Sequence, residues 1–189
     1  MRTTTGKAKV LTDAQQRAAL AVLTEPRDRC MFLLSIKGAL RAVEIAGLRW
    51  SHIHVHELDL TSDITKGSHP RTVPLNAELK AALLTYKEAT GPSDDSEHLF
   101  PNRQLKGRHV SANAVSAWFR YVYRIKMGWQ GCSSHSGRRT AITAMARKVS
   151  AAGGSLRDVQ DIAGHARLDT TQRYIEVSSD ARRRLVDMI

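Results

Sequence analysis

The sequence is poor in cysteine, in acid and in long apolar stretches. Its two cysteines, Cys30 and Cys132, are too few for a disulfide framework. Cys30 lies in an apolar helical stretch and reads as a buried small hydrophobe, which suits a reducing cytoplasm. No apolar run approaches the roughly 20 residues that a membrane helix needs, and the longest, residues 30–40, is broken by Lys37. Residues 1–10 are polar, lack a signal-peptide apolar stretch and read as a flexible lead-in. Neither an internal repeat nor a low-complexity segment interrupts the chain.

What is present in excess is positive charge. Twenty-nine Lys and Arg stand against eighteen Asp and Glu, for a net charge of +11 over 189 residues. A surface this basic favours a polyanion, above all nucleic acid. The hydrophobic share of 42% and the charged share of 25% are those of a globular chain able to bury a core.

Local patterns give mainly helix. Thr12 to Gln15 has the capping-box form and predicts a helix over 12–23. Pro26 suits the first turn of a second helix, ended by Gly38, and a short third runs from Arg41 to Gly47. The period then switches. His52-Ile53-His54-Val55-His56 alternates as a half-buried strand does; residues 58–64 and 71–75 are two further strand candidates. Helices follow over 77–89, after a Ser111 cap, after a Ser134 cap to about 149, after a Ser155 cap, around 171–175, and from Ser179. The expected fold is mainly α with a small antiparallel three-stranded β-sheet, with residues 11–189 as one domain.

Four separated pieces carry candidate chemistry. Gly164-His165 is followed by eight residues and Tyr174; alone, such a tyrosine reads as a packing residue with a wet hydroxyl. His135 and Arg138 share a helix face at i, i+3 and can reach one target, or simply form a solvated basic face. Arg41 starts a helix with Glu44 one turn on, which is also the form of a helix-start ion pair. Lys66 tips a hairpin, where turn lysines are ordinary. His52, His54 and His56 would line one strand face, but no fourth ligand is near, so no metal site is read there. No convincing carboxylate trio for metal-dependent strand transfer occurs; only Asp94-Asp95 in a loop and Asp158 and Asp161 on a helix come near.

In this order, Arg41, Lys66, His135 with Arg138, His165 and Tyr174 resemble the active-site series of the tyrosine recombinases, the phage-integrase family. The stretches Leu40-Arg41-Ala42-Val43-Glu44-Ile45 to Leu48-Arg49-Trp50 and Gly164-His165 to Thr170-Thr171-Gln172-Arg173-Tyr174 carry most of the likeness, with Arg71-Thr72-Val73-Pro74-Leu75 beside them. The resemblance spans residue 11 to the C-terminus. It implies a site-specific DNA recombinase or integrase. Tyr174 would be the nucleophile that forms a 3′-phosphotyrosyl bond, with no metal, ATP or other cofactor. Arg41, Arg138 and His165 would hold the phosphate, Lys66 would be the general acid, and His135 would be a candidate proton acceptor. Glu44 would orient Arg41 or His135 from behind; Arg139, Arg71 and Arg173 would be DNA contacts.

The implied partner is double-stranded DNA, bound by a homotetramer whose protomers are monomeric when free. The implied setting is the bacterial or phage-infected cytoplasm, at the nucleoid. Two other activities share parts of this pattern: a type IB topoisomerase-like nickase-ligase, and a non-catalytic DNA-binding regulator. The sequence departs from the family at Gly137 and Arg139, where a leucine and a histidine are usual; Gly137 is expected to loosen helix packing. The chain also has no room for the N-terminal core-binding domain that most members carry.

Overall fold

A computed structural model describes residues 8–65 and 69–174, together with Asp187. Helix α1 (Asp13–Val22) opens on the capping box foreseen, with Thr12 accepting from the Gln15 amide and Gln15 from the Thr12 amide. Helix α2 (Pro26–Ile36) has Pro at its start, and every residue from Cys30 to Ile36 is buried. A helix apolar on all sides must run through the core. Accordingly α2 lies against α4 (Ala77–Thr90) and α6 (Ser134–Lys148), while α3 (Ala42–Gly47) packs on α5 (Ala112–Arg120). Helix α7 (Leu156–Ala163) lies beside α6, and α8 (Leu168–Gln172) packs on α7. No described helix is long and apolar enough to cross a membrane.

Among the described residues the sheet has two strands, not three. Strands β1 (Glu57–Leu60) and β2 (Arg71–Pro74) pair antiparallel, with Leu58 opposite Val73 and Leu60 opposite Arg71. Leu58, Leu60 and Val73 point into the core. The His52–His56 alternation misled because burial there runs against the pattern. His52 is buried and Val55 is 65% exposed. Trp50–His52 forms a 3-10 turn in which the His52 ring accepts the Arg49 amide, and the chain then doubles back through one bridge, Ile53 to Leu58. Residue 60 ends β1 because Thr61 starts a turn whose carbonyl takes the amides of Ile64 and Thr65.

Smaller differences have local causes. Ser133, not Ser134, caps α6. Helix α8 begins at Leu168, earlier than the expected 171–175 element; a helix from Ser179 and the basic run 182–184 fall outside the described residues. Most of the expected lead-in lies outside them too, but Lys9 donates its amide to Gly131, and Leu11 donates its own to Thr140 on α6. The start of the described chain is thereby tied to the helix that carries His135 and Arg138.

Candidate active site

The site is assembled around the C-terminal end of α7. A helix leaves its last carbonyls without internal partners and carries partial negative charge there. Three successive carbonyls of this end each receive a guanidinium. Ile162 accepts from Arg71 Nε at 2.8 Å, Ala163 from Arg138 Nη2 at 2.6 Å, and Gly164 from Arg41 Nη2 at 3.1 Å. Gly164 closes α7 in the left-handed region at φ 61°, and a Cβ there would meet the Arg71 guanidinium at 2.8–2.9 Å. Only glycine lets the chain turn there with Arg71 so close.

Glu44 sits behind this cluster, fully buried on α3. It accepts the Arg41 amide at 2.8 Å and Arg41 Nη1 at 2.7 Å, and it holds Arg71 through both oxygens at 2.8 and 3.0 Å. Burial pushes its carboxyl up, but the hydrogen bonds and charges of Arg71, then of Arg41, outweigh this and hold it below the usual carboxylate range. Of the two partners expected for Glu44, it bonds Arg41; His135 is exposed at the start of α6 and its ring makes no hydrogen bond among the described residues. Arg71 was expected on DNA, yet its side chain is 6% exposed and its guanidinium faces inward to Glu44 and Ile162.

Arg138 is buried on α6 and reaches two elements at once, donating Nη1 to the Ala39 carbonyl and Nη2 to Ala163. Ala39 presents that carbonyl from a left-handed conformation, φ 55°. Burial, with the charges of Arg41 and Arg71, draws the Arg138 guanidinium down to about 10, so it stays charged at neutral pH. Three guanidinium groups face one carboxylate here, and the cluster keeps an excess of positive charge.

Gly137 does the opposite of loosening the helix. A Cβ at this position would stand 2.9 Å from Ser35 Cβ and 3.0 Å from Ile36 Cγ2, so the missing side chain is what lets α6 close on α2. That approach carries Arg138 towards Ala39, which follows α2 in the chain.

His165 follows Gly164 directly. Its amide bonds to the Gln160 carbonyl and its carbonyl accepts from Gln160 Nε2 at 2.8 Å. Its ring Nδ1 is 2.9 Å from Thr171 Oγ1, and its ring stacks on Tyr174 with centroids 5.7 Å apart and planes at 20°. Burial and the charges of Arg138, Arg41 and Arg71 push the imidazole down to about 4, leaving it neutral at physiological pH. Tyr174 itself packs on the small cluster of Ala39, Ala141, Ile142, Val159 and Ala163, with the Arg139 guanidinium carbon 5.9 Å from its ring centre. Arg139 Nε is buried with no hydrogen-bond partner, while Arg173 is exposed.

The described structure thus brings together Arg41, Glu44, Arg138, His165 and Tyr174, with Arg139 at the edge; Lys66 lies outside the described residues. Sequence reasoning gave no role to Thr171 or Gln160, and read Arg71 as a DNA contact without seeing its pairing with Glu44. The pairing of Arg71 with Glu44 spans 27 residues and leaves no local pattern to read. No group of metal-ligating side chains occurs among the described residues.

Comparison with known proteins gives the family and the fold. The profile of the phage integrase family matches residues 9–180. Tyrosine recombinase XerC of Xylella fastidiosa (strain 9a5c) is 31% identical over 148 residues, which are 78% of this chain and 48% of that protein. Tyrosine recombinase XerC of Leptospira interrogans (strain Fiocruz L1-130) is 30% identical over 163 residues, 84% of this chain and 49% of that one. The chain therefore spans about half the length of these relatives. In fold it is similar to XerA recombinase, with a TM-score of 0.76 at 22% identity over 95% of this chain and 64% of that one. It is likewise similar to the Tn1549 transposon integrase in complex with a circular intermediate DNA, with a TM-score of 0.74 at 19% identity over 100% of this chain and 68% of that one. The chain belongs to the phage integrase family.

Proposed function

We propose that this chain cleaves and rejoins DNA strands as the catalytic part of a site-specific recombinase, with Tyr174 as the nucleophile. One observation carries the reading: His165 stacks on the Tyr174 ring inside a cluster whose arginines hold more positive charge than Glu44 neutralises. Such a cluster suits an anion, and a phosphodiester brought beside Tyr174 meets that need. Guanidinium groups match non-bridging phosphate oxygens in pairs and stay charged. Charge on those oxygens grows during attack, so donors already held in place by α7 and Glu44 act most strongly in the transition state.

In the proposed step the Tyr174 oxygen forms a bond to phosphorus and the bond from phosphorus to the 5′-oxygen breaks. The phenol proton leaves towards His135 or water, and the 5′-oxygen takes a proton, from Lys66 by family resemblance. The phosphotyrosyl ester keeps the bond energy, so the reverse attack by a new 5′-hydroxyl needs no ATP. Double-stranded DNA is the proposed partner, bound by four protomers that are separate off DNA and act at the nucleoid in the cytoplasm. Relatives of this fold include XerH bound to its difH substrate, which supports the choice of partner.

The test is a nicked suicide duplex taken from DNA beside the protein's own gene. Wild type should accumulate a covalent protein–DNA adduct in the presence of EDTA, and Tyr174→Phe should give none. An adduct that persists in Tyr174→Phe assigns the nucleophile elsewhere, and loss of the wild-type adduct in EDTA rules out the metal-free route.

A further inference from the structure

Thr171 is wholly buried in α8, one turn before Tyr174, whose amide it accepts at 3.0 Å. Its hydroxyl lies 2.9 Å from His165 Nδ1 and has no other hydrogen-bond partner among the described residues. The neutral imidazole carries one N–H, on Nδ1 or on Nε2. If it lies on Nδ1 and donates to Thr171, the threonine hydroxyl proton is left buried with no acceptor. If the hydroxyl donates instead, its proton is satisfied, and only an oxygen lone pair goes short. Unfilled acceptors are tolerated in protein interiors better than orphaned donors.

We propose that Thr171 is a positioning residue that fixes His165 as the Nε2–H tautomer, so that the ring offers the DNA phosphate a hydrogen-bond donor rather than a lone pair. This rests on the reading of His165 as a phosphate ligand. Three further contacts leave the ring little freedom to escape the arrangement. Gln160 grips its backbone from both sides, and Tyr174 covers its face. Helix α8 and the turn that follows it therefore hold both the hydroxyl that sets the His165 proton and the tyrosine stacked on that ring. In this tautomer His165 has its only lone pair turned to Thr171, so it does not accept the Tyr174 proton.

Long-range 15N NMR correlation on the full chain reads the tautomer directly, with the His165 signals assigned by their loss in His165→Gln. Wild type should show a protonated Nε2 and a bare Nδ1; a protonated Nδ1 overturns the proposal. Thr171→Val removes the hydroxyl at nearly constant shape. It should release the tautomer preference and slow adduct formation on the suicide duplex about tenfold or more, the scale seen when metal-bound histidines lose their orienting partner. DNA affinity should stay within about twofold, and Thr171→Ser should recover the rate to within about threefold.

An unchanged tautomer and rate in Thr171→Val overturn the proposal. If Thr171→Val does not fold, the wild-type spectrum and Thr171→Ser, which keeps a hydroxyl donor and should keep the tautomer, still decide. If the tautomer behaves as stated but no protein, wild type included, forms an adduct, the strand-cleavage reading fails while the assignment to Thr171 stands.

Discussion

Arg71 grips both carboxylate oxygens of Glu44, at 2.8 and 3.0 Å, where water reaches neither pair of atoms freely. The pair joins strand β2 to helix α3, and Arg71 Nε extends it to the end of α7. Arg41 hangs on the same carboxylate. The position of Arg41 is therefore set from three elements by groups that themselves need not touch DNA.

Removing Glu44 should cost more than removing a surface acid. Glu44→Ala leaves Arg71 buried beside Arg41 with no counter-charge, and breaking a buried ion pair from one side costs about 3–5 kcal/mol. Urea denaturation should show a loss in that range. Arg71→Lys keeps the charge but loses the fork and the Ile162 contact, and should fall between wild type and Glu44→Ala. A loss near zero for Glu44→Ala would mean that the pair is hydrated in solution.

Gly137 invites a second test, because the sequence argument and the packing argument differ in sign. Gly→Ala inside a helix gains up to about 1 kcal/mol from helix propensity. Here the added Cβ would overlap Ser35 and press on Ile36, and overpacking a tight core costs about 1–3 kcal/mol. Gly137→Ala should therefore destabilise. Adding Ser35→Ala removes the nearest overlapping atom, the serine oxygen, and should recover part of the loss; a double-mutant cycle measures the coupling. Additive effects would place the two helices farther apart than described.

The helices and the order of the site residues were legible because their signals are local. Thr12 with Gln15, Ser111 and Ser155 cap helices by contacts within four residues, and Pro26 opens another. Glu44 was readable as a neighbour of Arg41, since the two lie one helical turn apart, but the sequence left His135 open as its other partner. What the sequence hid depends on contacts across the chain. His52 looks like a strand residue until Arg49 and Thr61 bury it. Arg71 reads as a DNA contact, and nothing local shows that Glu44 and Ile162 hold its guanidinium. Gly137 looks like a packing defect until Ser35, over a hundred residues away in the chain, explains it.

Acid should destabilise the folded chain in two windows. His165 has its folded value lowered from 6.5 to about 4. Between these values the unfolded chain takes a proton that the folded chain refuses, so stability falls as pH drops from about 6.5 towards 4. Glu44 is depressed as well, so its contribution is present above its ordinary value and is lost as pH falls through the lowered one. Urea midpoints between pH 8 and 3 test both. His165→Gln should make the upper window shallower, leaving the share of His52 and His98, whose burial also lowers them, and should leave the lower window in place. An unchanged upper window in that variant would assign it to another histidine.

Arg138 allows binding and cleavage to be told apart. Its guanidinium bridges Ala39 and Ala163 and retains further N–H donors for a phosphate. Lysine at this position keeps a positive charge but cannot reach two carbonyls and a phosphate in one plane. Arg138→Lys should thus lower the rate of adduct formation by roughly 100-fold or more, the scale for losing a preorganised donor to a developing oxyanion. Duplex affinity at fixed salt should change by less than about tenfold, because many cations share the backbone contacts. Arg41→Ala should show the same split, for Arg41 is held by Glu44 and Gly164 in the same way. If affinity and rate fell together in both variants, the arginines would position the duplex without favouring the transition state, and the burden of charge stabilisation would pass to His165.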